Sequence, residues 1–356
     1  MEKPLTFLLR KTILYTLSFL LITAIIYGFI VASTTPLERA SLYLPANTSR
    51  LTPRQIEVLL NRSIKDYHLD APYFVQYFIW LNNFLHGNWG YSPSLRVDVI
   101  QAITNRLPPT IELALYSGLL FLPLGLLSGL IAAAHKNSFQ DLILRFWASV
   151  ATSIPTLILA ILLIVFFCIN LRWFAPDRLS STNLVVVNSA NFRLFTGLIT
   201  IDGLLNGRPD VSWDALKHLV LPAITLALPQ WAILARLTRT GLLDELKKDY
   251  ITMARGMGIS EWKLRWQYAT SNVTPILLSN SMLSVAMLLT NTYIVEEIFH
   301  YPGLSFLALK TIRDGPDSPV IMGFAVMSIL LVLMLMFILD ILLYIFDRRA
   351  GVAEIR

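Results

Sequence analysis

Residues 249–275 read DYITMARGMGISEWKLRWQYATSNVTP. This charged stretch lies between two long apolar blocks, 218–238 and 274–295. Residues 241–255 have helical character, with Leu242, Leu243, Leu246, Tyr250 and Met253 expected roughly on one face. Gly256 and Gly258 interrupt that helix, and Ser260 is placed to cap a second short one, with Glu261 favourable in its first turn. The small residues Ala254, Gly256 and Gly258 let another protein's backbone approach closely. Trp262, Trp266 and Tyr268 supply the kind of aromatic area that anchors many interfaces. A plain connector has no use for this length or this interleaving of Gly, Ala and Trp. The stretch is expected to be a cytoplasmic helical elbow against which a separate motor protein docks.

Outward from the elbow the chain is greasy. Of its 356 residues 55% are hydrophobic and only 15% charged, where soluble domains carry about 25% charged residues. Mean hydropathy is +0.60. A bilayer core about 30 Å thick needs roughly 20 apolar residues in a helix. Six such blocks lie near 12–33, 110–134, 146–169, 218–238, 274–295 and 319–345. The first follows Arg10 and Lys11, as a signal peptide does, but it runs too long for one and has no small-residue cleavage site. It is expected to span. The fold class is therefore an all-α polytopic membrane protein with six transmembrane helices and a large extracytoplasmic segment after helix 1.

The net charge of +6 fits membrane topology better than nucleic acid. Lys3, Arg10 and Lys11 precede helix 1, Arg348 and Arg349 follow helix 6, and the elbow region carries Arg239, Lys247, Lys248, Arg255, Lys263 and Arg265. With six spans all three lie on one side, as the positive-inside rule requires. The expected organisation is 1–33 for the N-terminal segment and helix 1, and 34–108 outside. A five-helix core, 109–350, follows with its coupling loop at 240–273, and 351–356 is a cytoplasmic tail. Within 34–108, residues 52–67 read as a helix with Thr52 as N-cap and Pro53 in its first turn. The aromatic run 73–86 is expected in the interface plane. Cys168, in an apolar run, is expected to be a packed small side chain.

Pro123, Pro155, Pro222 and Pro229 fall inside apolar blocks and are either hinges or static packing features. Asn280, Ser284 and Asn291 in helix 5 either line a pathway or bond to neighbouring helices. Glu296 and Glu297, at the outer end of that helix, are candidates for a gate. The alternative is solvation or pairing with Arg313 or Lys310. Asp340 is an intramembrane carboxylate near the cytoplasmic end, where a structural partner is expected, and Glu112, close to Arg106, is expected to pair near the outer boundary. No nucleotide-binding G-x-x-x-x-G-K-[ST] loop and no H-E-x-x-H motif occur, and His68, His86, His135, His218 and His300 are scattered. No catalytic residue and no metal site are expected.

The elbow resembles the EAA loop of ABC-importer permeases. Ala254 and Gly258 hold that motif's second small residue and its glycine, while Thr252 and Met253 stand where Glu and Ala are usual. The resemblance is strongest to the B-type subunit of dipeptide and oligopeptide permeases. It extends over Asp249-Tyr250, LDAPYFVQYFIWL (69–81), GNWGYS (87–92), RLPPTIELAL (106–115) and SIP (153–155). Further matches are TGLITIDGLLNG (196–207), HLVLPAITLALP (218–229), EEIFHYPGL (296–304) and DILLYIFDRR (340–349).

The resemblance implies a type I ABC importer permease fold with a cytoplasmic coupling helix. It also implies a permease role in the inner membrane, with import of peptides handed over by an extracytoplasmic substrate-binding protein. The implied partners are a second, C-type permease subunit and two ATPase subunits in the lipid bilayer. ATP and Mg would sit on the ATPases and no cofactor on this chain. The implied coupling residues are Asp249, Tyr250, Ala254, Arg255, Gly256, Gly258, Ser260 and Trp262. Nickel, glutathione or oligosaccharide are alternative cargoes within the same role. A channel or secondary transporter is disfavoured by the lack of repeated halves or charged midplane residues. An intramembrane enzyme is disfavoured because no second carboxylate is placed at bilayer depth with Asp340.

Overall fold

The computed structural model describes residues 4–41, 44, 51–92, 94–314 and 317–346; the expected tail 351–356 and Asp347, Arg348 and Arg349 lie outside them. In chain order the elements are α1 (Pro4–Ser33), α2 (Pro36–Ser41), α3 (Pro53–Asp66), α4 (Tyr73–Leu85), the two-stranded antiparallel ladder β1 (Tyr91–Ser92) and β2 (Val97–Asp98), α5 (Val99–Ala134), α6 (Phe139–Ser153), α7 (Thr156–Leu163), α8 (Ser181–Val187), α9 (Ile199–Leu205), α10 (Pro209–Glu245), α11 (Asp249–Gly256), α12 (Glu261–Lys263), α13 (Thr270–Ile298), α14 (Leu304–Asp314) and α15 (Ser318–Phe346). A π-helical stretch, Leu264–Ala269, joins α12 to α13 in one rod, Glu261–Ile298.

Among the described residues five helices are long and apolar enough to cross a membrane: α1, α5, α10, the rod Glu261–Ile298 and Pro319–Ile341 within α15. The sixth expected span is a pair, α6 and α7 with its π-helical continuation to Asn170, bent by 102°. The bend has a local cause. Pro155 lacks an N–H and disfavours helical backbone at the residue before it, and Ile154 is extended at φ −92, ψ 119. Pro222 and Pro229, in contrast, lie within the unbroken α10.

Two spans start earlier than their apolar blocks. α5 begins at Val99, ahead of the expected 110, and runs through Pro108 and Pro109. α10 begins with Pro209 in its first turn, where the missing N–H costs no hydrogen bond.

The chain divides into two compact units, one formed by 1–8, 109–302 and 335–356, the other by 9–108 and 303–334. In the first unit α10 is the axis. Its most apolar window is 61% buried, against 33% for the rod Glu261–Ile298, and it packs on α6, α7, α9 and α13. Its core gathers Leu113, Phe121, Leu226, Leu234, Leu288 and Tyr301, with Cys168 packed half-buried against it, as expected of a small side chain. Gly125 and Gly129 let α5 and α10 touch: a Cβ on Gly129 would stand 2.5 Å from the Ala235 carbonyl oxygen and 2.6 Å from Thr238 Cβ. The Trp231 indole donates to Ser128 Oγ at 3.1 Å in the same crossing. Asp141 is buried beside Arg239, Nε to Oδ1 2.5 Å, tying the start of α6 to α10.

In the second unit α3 opens on the expected Thr52, which forms a full capping box with Gln55. The aromatic face of α4 does more than meet headgroups, because part of it packs on α1. Tyr77 is buried, and its hydroxyl lies 3.0 Å from Thr23 Oγ1, while Tyr73 bonds to the Ala24 carbonyl. Phe74 and Phe78 stay exposed. Buried Asp317 accepts from the hydroxyls of Ser92 and Ser94, both at 2.6 Å, pinning the β1–β2 turn to the start of α15. Val99, Ile103, Leu304, Leu307 and Val320 form the apolar core there.

Candidate functional site

The elbow is built from α11, a turn and α12. α10 ends at Glu245, and Leu246–Lys248 separate it from α11. The helical register therefore restarts at Asp249, and the expected face changes. Leu242 is buried and Leu243, Leu246 and Tyr250 pack against the same cluster, but Met253 is 68% exposed. Ile251 and Ala254 are buried instead, with Leu264 and Ala269. Ala254 thus serves the chain's own packing and is not offered to another backbone.

Gly258 closes α11 for a backbone reason. Its φ is +81, a region that favours glycine. Its N–H donates to the Arg255 carbonyl at 3.0 Å and the N–H of Ile259 to the Ala254 carbonyl at 3.2 Å, the two bonds of a Schellman ending. Ser260 stands at the N-cap of α12, but its side chain makes no capping bond, and α12 opens the long rod instead of forming a separate short helix. Arg255 and Glu261 bridge the turn, Nε to Oε1 2.5 Å, and that bond raises the Arg255 pKa above its ordinary value.

What remains on the surface is a compact apolar and charged face. Met253, Met257 and Trp262 are 66–68% exposed. Gly256, Gly258, Ser260, Lys263 and Asp249 are exposed with them. Trp266 and Tyr268 follow, with Trp262 and Trp266 rings 6.5 Å apart. Behind this face lies a hydrogen-bonded link absent from the sequence reading. The Tyr250 hydroxyl donates to Glu245 Oε1 at 2.8 Å and accepts from Asn272 Nδ2 at 2.6 Å.

At the opposite end of the same unit, three of the quoted motifs meet. Glu112 of α5 is fully buried and paired. It receives Arg178 Nε at 3.0 Å and Nη2 at 2.5 Å, the Tyr301 hydroxyl at 3.0 Å, and both the N–H and hydroxyl of Thr200 at 2.9 and 2.8 Å. Arg178 also donates to the Gly197 carbonyl at 2.8 Å. Burial acts to lower the Arg178 pKa, but contact with Tyr301 and Glu112 raises it on balance. Burial, reinforced by the Glu112 carboxylate, pushes the Tyr301 hydroxyl well above its usual range, so it remains a donor. Gly203 is needed beside this cluster, because a Cβ there would lie 2.8 Å from the Ser212 backbone nitrogen.

Glu296 is also fully buried, and the Thr110 hydroxyl donates to it at 2.5 Å; it is not at a solvated mouth. Phe299 and Tyr301 are 1% exposed core residues. Glu297 is half-buried. On α13, Asn280 is half-buried and bonds back to the Ile276 carbonyl at 2.8 Å, Ser284 is buried and Asn291 half-buried. Asp340 is buried. Among the described residues no group of His, Cys, Asp and Glu could hold a metal ion.

Residues 125–352 match the family model described as the binding-protein-dependent transport system inner membrane component. A putative peptide transport system permease protein of Brucella suis is 32% identical over 97% of this chain and 99% of its own length. A probable D,D-dipeptide transport system permease protein of Escherichia coli is 30% identical over 86% and 89%. An oligopeptide transport system permease protein of Bacillus subtilis is 29% identical over 96% and 98%.

Proposed function

The chain belongs to the family of binding-protein-dependent transport system inner membrane components, and on that premise we propose that it is the permease subunit of an ATP-driven importer of di- or oligopeptides. Both termini and the elbow face the cytoplasm. A second, C-type permease completes the pathway, two ATPase subunits carry ATP and Mg, and an extracytoplasmic binding protein delivers the peptide. The peptide cargo is supported by the printed roles of the relatives.

The observation that carries the proposal is the elbow's outer face: Met253, Met257 and Trp262 stand exposed on a turn closed by Gly258 and backed by buried Ile251, Ala254 and Leu264. Exposed large apolar side chains on an otherwise well-packed element mark an interaction surface. Asp249, Arg255, Gly256, Gly258, Ser260 and Trp262 belong to the docking face; Tyr250 and Ala254 support it from behind. Driving a two-state pathway from 1:99 to 99:1 takes about 5.5 kcal/mol of differential binding, and that free energy enters through this face. Asn280, Ser284 and Asn291 on α13 are the proposed pathway positions. Glu296 and Glu297 belong to the gate region at its outer end, Glu296 through its bond to Thr110.

The test is Gly258→Trp. A Cβ at Gly258 meets nothing of this chain within 4 Å, which leaves space for an indole to start outward, at a backbone cost of about 1–2 kcal/mol for the left-handed conformation. The expected result is a folded permease that no longer retains ATPase subunits on purification. Full retention together with wild-type transport refutes the docking face.

A further inference from the structure

We infer that Tyr250 is a positioning residue that locks the elbow to α10 and α13, so that α11 and the inner ends of both helices move as one body; this rests on the elbow being the ATPase docking site. Tyr250 is half-buried and sits behind the exposed face. Its single hydroxyl joins three separately formed segments. It donates to Glu245, the last residue of α10, at 2.8 Å, and accepts from Asn272, in the first turn of α13, at 2.6 Å. The second oxygen of the buried Glu245 is taken by Lys248 Nζ at 2.6 Å, so the carboxylate has a fixed orientation from which to receive the hydroxyl.

Without that hydroxyl the elbow hangs between two bends. One is the turn Leu246–Lys248, with Lys247 and Lys248 exposed, and the other is Gly258 at φ +81. Apart from the exposed Arg255–Glu261 bridge across the second bend, apolar packing of Ile251, Ala254 and Leu264 holds the elbow down, but burial is non-directional and does not fix an angle. Hydrogen bonds do, because they weaken steeply as donor and acceptor turn away. Space for a swing exists: a cleft of about 450 Å³ opens beside Tyr250, lined by Glu245, Lys248, Gln267, Tyr268, Ser271 and Asn272. A lever that tilts into this cleft under load would absorb the ATPase stroke. The Tyr250 link transmits the stroke to α10 and α13.

The test uses the assembled transporter with spin labels on Thr252→Cys, exposed on α11, and Ile276→Cys, 61% exposed on α13, in a Cys168→Ser background. Distances are measured by pulsed electron paramagnetic resonance, without nucleotide and after trapping with ATP and vanadate. The parent should show one narrow distance that is the same in both states. Tyr250→Phe, which keeps the ring, should broaden the distribution at least about twofold or shift it between states by about 5 Å, one helical turn. Glu245→Gln, which takes away one of the two oxygens that Lys248 and the hydroxyl use, should disturb the distribution in the same way. A Tyr250→Phe distribution as narrow and invariant as the parent's overturns the lock, and so does a Glu245→Gln distribution indistinguishable from the parent's. Failure of the parent chain to retain ATPase subunits would instead sink the docking reading, while the nucleotide-free distances still decide the lock.

Discussion

Replacing Arg178 by methionine should be among the most destabilising single changes in the first unit. Glu112 has no solvent exposure, and Arg178 supplies its counter-charge through two bonds at 3.0 and 2.5 Å. After the change the carboxylate retains Tyr301 and the N–H and hydroxyl of Thr200, but nothing neutralises it. Removing one partner of a buried pair costs about 3–5 kcal/mol. The three retained donors place the expected loss near the lower end, about 3 kcal/mol, or roughly a hundredfold in the unfolding equilibrium. Adding Glu112→Gln to Arg178→Met should recover most of the loss, because an uncharged amide needs no counter-ion. Unfolding of the single and double variants in bicelles, followed by tryptophan fluorescence, measures both values. A loss below about 0.5 kcal/mol for the single change, or a double variant weaker than the single, refutes the assignment of this cluster as the clamp between α5, the 171–208 segment and Tyr301.

Two further substitutions probe packing. Gly129→Ala places a methyl against the Ala235 carbonyl and should cost about 1–3 kcal/mol by overpacking, seen as a lower thermal midpoint. Gly118→Ala, where nothing lies within 4 Å, should leave that midpoint unchanged. Asp317→Ala should cost about 1–3 kcal/mol by stranding the hydroxyls of Ser92 and Ser94, with faster hydrogen exchange over 90–98; unchanged exchange there contradicts the pin.

Local chemistry was legible in the sequence wherever it sufficed. Thr52-Pro53 announced the start of α3 because an N-cap and a first-turn proline are local signals; the capping-box partner Gln55 was not read. The apolar blocks announced the spans, but Pro155 was read only as one of four prolines that are hinges or packing features, and the 102° bend beside it was not singled out. Periodicity failed at the elbow for a definite reason. The helix stops at Glu245 and restarts at Asp249, so counting turns straight through placed Met253 inside and missed Ile251. The start of α5 was missed because the span was placed by its apolar block at 110–134, whereas packing of Val99 and Ile103 carries the helix upstream. Glu112 and Arg178 lie 66 residues apart, and no spacing rule joins them. The nearest signal was that an Arg in a polar loop and a Glu at a helix start both need a partner if buried.

The account stands or falls on where the face carrying Met253, Met257 and Trp262 is engaged. A photoreactive amino acid in place of Met257, which is 66% exposed, reports its neighbour directly in the assembled transporter. Illumination should attach this chain to an ATPase subunit, and the adduct should disappear when Gly258→Trp is introduced. An adduct with the extracytoplasmic binding protein, or none with an ATPase subunit in a complex that is transporting, contradicts it.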